Sequence, residues 1–174
     1  MAHPFAPTKQ DDDRHSLYGQ WLILDDEGHV LVVNPAFGGP AGKFRLVGGG
    51  ALVNEAPHLT AIRTAHIEVG LNLVPDTLLL TDYAPRDEES GRCERTTLVF
   101  LHHLTPADAI TLNTGTPLGA PAPLSEYRFL DEDQLEDFCA PYMVRRIRAA
   151  LEAAPHGPTA RGYLYESRQI AYVA

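Results

Sequence analysis

The chain has 174 residues, 44% hydrophobic and 21% charged, which suits one globular domain with a real core and excludes a low-complexity or disordered class. A net charge of -9 argues against a basic stripe for nucleic-acid backbone, so no nucleic-acid partner is expected; a small-molecule ligand remains open, because a local Arg or a bound cation offsets the field. Two cysteines, Cys93 and Cys139, with no C-x-x-C pair, fit a reducing cytoplasm and not a disulfide scaffold.

Residues 1–14 carry two prolines and the run Asp11-Asp12-Asp13, and read as a solvated N-terminal arm without the apolar segment of a signal peptide. No apolar run exceeds strand length, so no membrane span is expected. Abundant Ala, Arg, Gly and Pro with few Lys is the compositional mark of a GC-rich bacterial genome. The main domain is placed at 15–154. It opens with "QWLILDDEGHVLVVN", two β-rich runs around a turn ending in Gly28, a hairpin pattern. A Gly/Pro loop (35–42) and a short strand "KFRLV" follow. Residues 55–69 are the best helix candidate. Pro57 suits the first turn, Gly70 suits the C′ position, and Leu59, Ile62, Ala65 and Val69 fall at helical spacing and are expected to face the core.

Two further strands are expected at 77–84 and 95–104, joined by the polar loop "PRDEESGRCE". Residues 105–124, rich in Pro, Gly and Thr, read as a long surface connection, and "EYRFL" as a last core strand. "DEDQLEDFC" reads as a short helix and "PYMVRRIRAALEAA" as an amphipathic one with Met143, Ile147 and Leu151 on its apolar stripe. The tail 155–174 alternates well enough for an edge hairpin or a dimer arm, so a homodimer is one option. Strands, helix, strands, helices predict an α+β class with a mixed sheet.

The stretch Gly49 to Leu71 carries Gly49, Glu55, Arg63, Glu68, Gly70 and Leu71 at the spacings G-x5-E-x7-R-E-U-x-E-E-x-G-U, where U is aliphatic and Ala65 stands at the first U. The upstream "FRLVGGG" is similar to a W-x-L-P-G-G-G lead-in, with Val47 at the usual Pro. This pattern resembles the Nudix box, and the likeness runs over roughly 18–152, including "SEYRFLDEDQLEDF". The resemblance implies a Nudix-type α/β/α sandwich, hydrolysis of a diphosphate-linked nucleotide or metabolite, and Mg²⁺ or Mn²⁺ held by three glutamates on one helix face.

That face is where the chain departs from the pattern. Positions i, i+3 and i+4 of the helix share a side, and here they hold Thr64, Ile67 and Glu68. Ile67 ligates nothing, and Thr64 is a poor metal ligand and a poor base. Hard cations need several oxygen ligands, so Glu68 and Glu55 are expected to hold one weakly bound ion at most, and ordinary metal-dependent hydrolysis to be weak or absent. In the family Arg63 orients the glutamates, so Gly49, Arg63 and Gly70 are read as structural.

Candidate substrate-contacting residues are Arg45, Phe37, Tyr83, Arg86, Glu94, His102 and Glu126. Adjacent His102 and His103 face opposite sides of a strand, so only one of them points toward a pocket. Trp21, Phe37, Phe44 and Tyr83 are possible stacking walls or core residues. His58 and His66 read as exposed. Three functions fit: a Nudix hydrolase with an altered box, a non-catalytic module that binds a nucleotide or other small ligand, and a repurposed enzyme with non-hydrolytic or metal-independent chemistry.

Overall fold

The computed structural model describes residues 15–35, 42–89, 91–114, 124–156, 163–165 and 168–169. Strands β1 (Ser16–Leu24) and β2 (Val30–Pro35) form the expected hairpin, closing at Leu24↔Val30. Its turn is held by the Asp25 carboxylate, which accepts the N–H groups of Glu27 and His29 at 3.0 and 2.8 Å. Next come β3 (Arg45–Gly50), α1 (Pro57–Val69), β4 (Leu78–Ala84) and β5 (Arg95–His103). They are followed by α2 (Pro106–Thr114), β6 (Leu124–Leu130), α3 (Leu135–Phe138) and α4 (Pro141–Ala153). Two short strands, β7 (Tyr163–Tyr165) and β8 (Arg168–Gln169), lie in the tail.

The strands make one mixed sheet in the order β6-β2-β3-β1-β5-β4-β7-β8, with β1–β5 and β4–β7 parallel and the other pairs antiparallel. The run "WLIL" of β1 is buried throughout because helices cover both faces of the sheet. Trp21 and Ile23 join Leu31, Val33, Val47 and Phe100 beneath α1. Leu22 and Leu24 join Val32, Leu46, Val99, Met143 and Ile147 beneath α4. The α+β sandwich expected from the sequence is thus present, and among the described residues no helix is long and apolar enough to cross a membrane.

Three expectations differ from the structure. The inward face of α1 is Thr60, Ala61, Thr64, Ala65 and Val69, and Leu59 stands 49% exposed. The cause lies on β1: a Cβ at Gly19 would sit 2.1 Å from the Pro57 carbonyl and 2.7 Å from the Ala61 nitrogen, so the helix rests on bare backbone and presents small residues there. Secondly, the stretch 105–124 contains α2, opened by a turn in which the Asp108 carboxylate accepts the Thr105 N–H and hydroxyl at 2.9 and 2.8 Å. Thirdly, β6, which contains "EYRFL", is an edge strand, and Glu126, Tyr127 and Arg128 are exposed on it.

Candidate functional site

The site is built where β3 hands the chain to α1. Residues 52–55 turn sharply, with the Glu55 N–H on the Leu52 carbonyl at 3.0 Å and Asn54 at φ 62°. The Glu55 side chain closes this turn from inside. Its carboxylate accepts Arg63 Nε at 2.7 Å and Arg63 Nη2 at 2.8 Å, a two-pronged ion pair, together with the Leu52 N–H at 2.8 Å and the Thr60 hydroxyl at 2.9 Å. Arg63 Nη2 also reaches the Gly50 carbonyl at 3.1 Å. The Arg63 guanidinium, against some opposition from burial, holds the Glu55 carboxyl down at about 2.

Glu68 lies one turn beyond Thr64 and is clamped separately. Arg45, on β3, donates Nη2 to Oε1 at 2.5 Å and Nη1 to Oε2 at 3.4 Å, and the Gly48 N–H reaches Oε2 at 2.9 Å. Arg45 Nη1 also lies 2.9 Å from the Leu46 carbonyl and 2.6 Å from that of Gly48. Gly48 serves both partners because of its backbone. At φ 138° its N–H meets Glu68 and its carbonyl meets Arg45, and a Cβ there would fall 2.3 Å from the Gly19 carbonyl.

Thr64 does not face this pair as a ligand. It is buried, and its hydroxyl turns back onto the helix, donating to the Thr60 carbonyl at 2.7 Å and lying 3.2 Å from that of Ala61. Its methyl group lies 3.2 Å from where a Cβ of Gly49 would sit. Ile67 is half-buried beside Glu68 in sequence. The Gly70 cap, at φ 75°, ends the helix with its N–H on the His66 carbonyl at 3.0 Å.

These residues do not fit a resident divalent ion as placed. Each acid is already matched by its own arginine, Thr64 spends its hydroxyl on backbone, and among the described residues no three His, Cys, Asp or Glu side chains converge.

The remaining candidates sit elsewhere. Tyr83 donates its hydroxyl to Glu94 at 2.8 Å, and the other Glu94 oxygen meets His15 Nδ1 at 2.9 Å. His15 Nε2 in turn lies 2.9 Å from the Thr96 hydroxyl, and no periodic pattern marks this chain of contacts beforehand. His102 Nε2 is bonded to Asp108 at 3.0 Å, while its neighbour His103 is exposed. Glu126 pairs with Arg128 at the sheet edge, and Arg86 is exposed. The contacts of Glu126 and His102 are thus with Arg128 and Asp108, and not with Glu55 or Glu68, whose partners are given above. Phe37 lies outside the described residues.

Trp21 is fully buried, with its indole N–H on the Ala61 carbonyl at 2.8 Å, and Phe44 packs edge-on against Phe138, so both belong to the core. Sequence reading also missed a buried network behind the site. Arg146 Nη2 meets Asp82 at 2.6 Å and Nη1 meets the Gln20 side-chain oxygen at 3.0 Å. The signal available was Asp82 itself, a charge in the apolar run "LLLTDYA" that demands a partner. Cys139 is buried, and its thiol is pushed up to about 11, which makes it a packing residue and not a nucleophile.

The family model for the NUDIX domain matches residues 18–151. The chain belongs to the Nudix family. No curated protein matches it. Solved Nudix structures share its fold. The MutT protein from Methanosarcina mazei superposes with a TM-score of 0.60 at 16% identity, covering 82% of this chain and 96% of that one. The NUDIX domain of Shewanella oneidensis NrtR, solved in complex with ADP ribose, gives 0.58 at 17% identity, covering 80% and 88%. An ADP-ribose pyrophosphatase from Streptococcus suis gives 0.57 at 15%, covering 87% and 99%. Within this Nudix domain the box acids Glu55 and Glu68 thus sit in two arginine clamps, Glu55 held by Arg63 of the box and Glu68 by Arg45 of β3.

Proposed function

We propose that this Nudix-superfamily protein binds a diphosphate-linked nucleotide of the ADP-ribose type, and that ordinary metal-dependent hydrolysis of it is weak or absent. The observation that carries the reading is the state of the helix face. Glu68 is held by Arg45 and the Gly48 N–H, Glu55 is held by Arg63, and the third position spends its hydroxyl on the helix backbone. A diphosphate cleaved by metal catalysis needs carboxylates free to hold the ion that bridges its oxygens, and here both acids already have cationic partners. The ligand class is supported by two structural neighbours, one solved in complex with ADP ribose and the other an ADP-ribose pyrophosphatase. We place the protein in the cytoplasm, a reducing compartment that suits its two-cysteine composition.

The test uses the whole chain and ADP-ribose. Thermal shift and calorimetry with EDTA present should register binding, and mass-resolved incubation with Mg²⁺ or Mn²⁺ should show little AMP released. Rapid metal-dependent turnover that Glu68→Gln abolishes would overturn the reading in favour of a working hydrolase with one ion on Glu68. Absence of any stabilisation by ADP-ribose would remove the ligand class.

A further inference from the structure

We propose that the Arg45 guanidinium is a tethered cation seated in an oxygen-lined cation site, and that these same oxygens take a divalent ion once Arg45 is removed. Three oxygens from different groups converge on one nitrogen. Nη1 of Arg45 is 2.6 Å from the Gly48 carbonyl, 2.9 Å from the Leu46 carbonyl and 3.4 Å from Glu68 Oε2, while Nη2 takes the other Glu68 oxygen at 2.5 Å. One carboxylate and two neutral carbonyls around a positive centre is the donor chemistry of a hard-cation site.

Strand pairing and the Gly48 backbone shape this cage. The pairing of β3 with β2 ends at Leu46, whereas its pairing with β1 continues through Gly50, so beyond Leu46 this edge of β3 has no strand partner among the described residues. Gly48 adopts a positive φ against the Gly19 carbonyl, and its N–H holds Glu68 at 2.9 Å in a contact separate from the guanidinium. Glu68 is only 9% exposed. Deleting Arg45 therefore leaves a carboxylate with little water around it, beside a Gly48 carbonyl that loses its donor, and such a site attracts a replacement cation. A hard divalent ion with water in its remaining positions fits that oxygen set. Mn²⁺ binding at this cage is measured without any nucleotide, so its outcome is separate from that of ADP-ribose binding.

The probe is Mn²⁺ alone, followed by the loss of its free electron-paramagnetic-resonance signal on titration into the full chain. Arg45→Met should bind one Mn²⁺ at least about tenfold more tightly than the wild type, Arg45→Lys should behave as the wild type, and Arg45→Met with Glu68→Gln should lose the gain. Wild-type binding as tight as that of the Met variant overturns the proposal, as does a gain that survives Glu68→Gln or a Met variant that binds nothing. Should Arg45→Met be unfolded in chelator, Mn²⁺-dependent recovery of its circular-dichroism spectrum is the supporting result, and failure to recover is the refuting one.

Discussion

Arg63→Met is the sharpest probe of what Glu55 does. Against an ordinary carboxyl at 4.5, Glu55 sits at about 2 in the folded chain. A depression of that size corresponds to roughly 3 kcal/mol of stability at neutral pH at most. The Leu52 N–H and the Thr60 hydroxyl stay in place in the variant and keep part of it, so the expected loss is about 2 kcal/mol at pH 7. The sign follows from the depressed value. The contribution is fully present above the unfolded carboxyl value and declines as pH falls from there toward about 2. Urea titrations at pH 7 and pH 3 should therefore show wild type and variant far apart at pH 7 and closer at pH 3, with roughly 40% of the difference gone. Carbon-detected NMR titration should show the Glu55 carboxyl moving up in the variant. A pH 7 difference below about 0.5 kcal/mol, or one that does not shrink on acidification, would refute the view of Glu55 as the clasp of the loop.

Two other experiments test the remainder of the arrangement. Asp82→Asn leaves the Arg146 guanidinium, 4% exposed, without its anion and near the charge of Arg95, which should cost about 3–5 kcal/mol and lower the melting temperature by roughly 10 °C. Adding Arg146→Met should restore most of the loss in a double-mutant cycle, and simple additivity would show the pair to be independent. Thr64→Glu with Ile67→Glu puts two more carboxylates beside Glu68, one of them at a buried position facing Gly49. That variant should melt at a lower temperature than the wild type in EDTA and regain stability with Mn²⁺, measured by calorimetric scanning. Equal melting in EDTA would mean that the face has more room than the contacts indicate.

The class of fold was legible because its signals are local and redundant. Alternation and unbroken apolar runs mark strands covered on one or both faces, Pro57 and Gly70 mark the ends of α1, and six spaced residues mark the loop and helix between them. The rotation of α1 was not legible, because it is set by Gly19, a residue in a different element whose missing side chain lets Ala61 touch strand backbone. Large apolar Leu59 looked like core and is not. The partners of the acids were half legible. Arg63 lies in the same motif as Glu55, so their pairing could be expected, but Arg45 meets Glu68 beside Gly48, whose N–H and carbonyl contact the two of them. No spacing rule connects a strand residue to a helix residue in this way.

The clamp on Glu68 also gives a physical reason for Thr64 and Ile67. A dication set against three carboxylates is close to balanced, and a monocation set against one carboxylate is balanced outright. If Arg45 supplies the positive charge, two further glutamates on that face would be unmatched charges near a carboxylate that is 9% exposed, and each would raise the energy of the folded state. Neutral side chains at both positions remove that penalty: Thr64 satisfies its hydroxyl within the helix, and Ile67 carries no polar group to satisfy. On the proposal above, the departures from the box and the position of Arg45 belong together: a cation of the chain stands where the pattern would hold a metal.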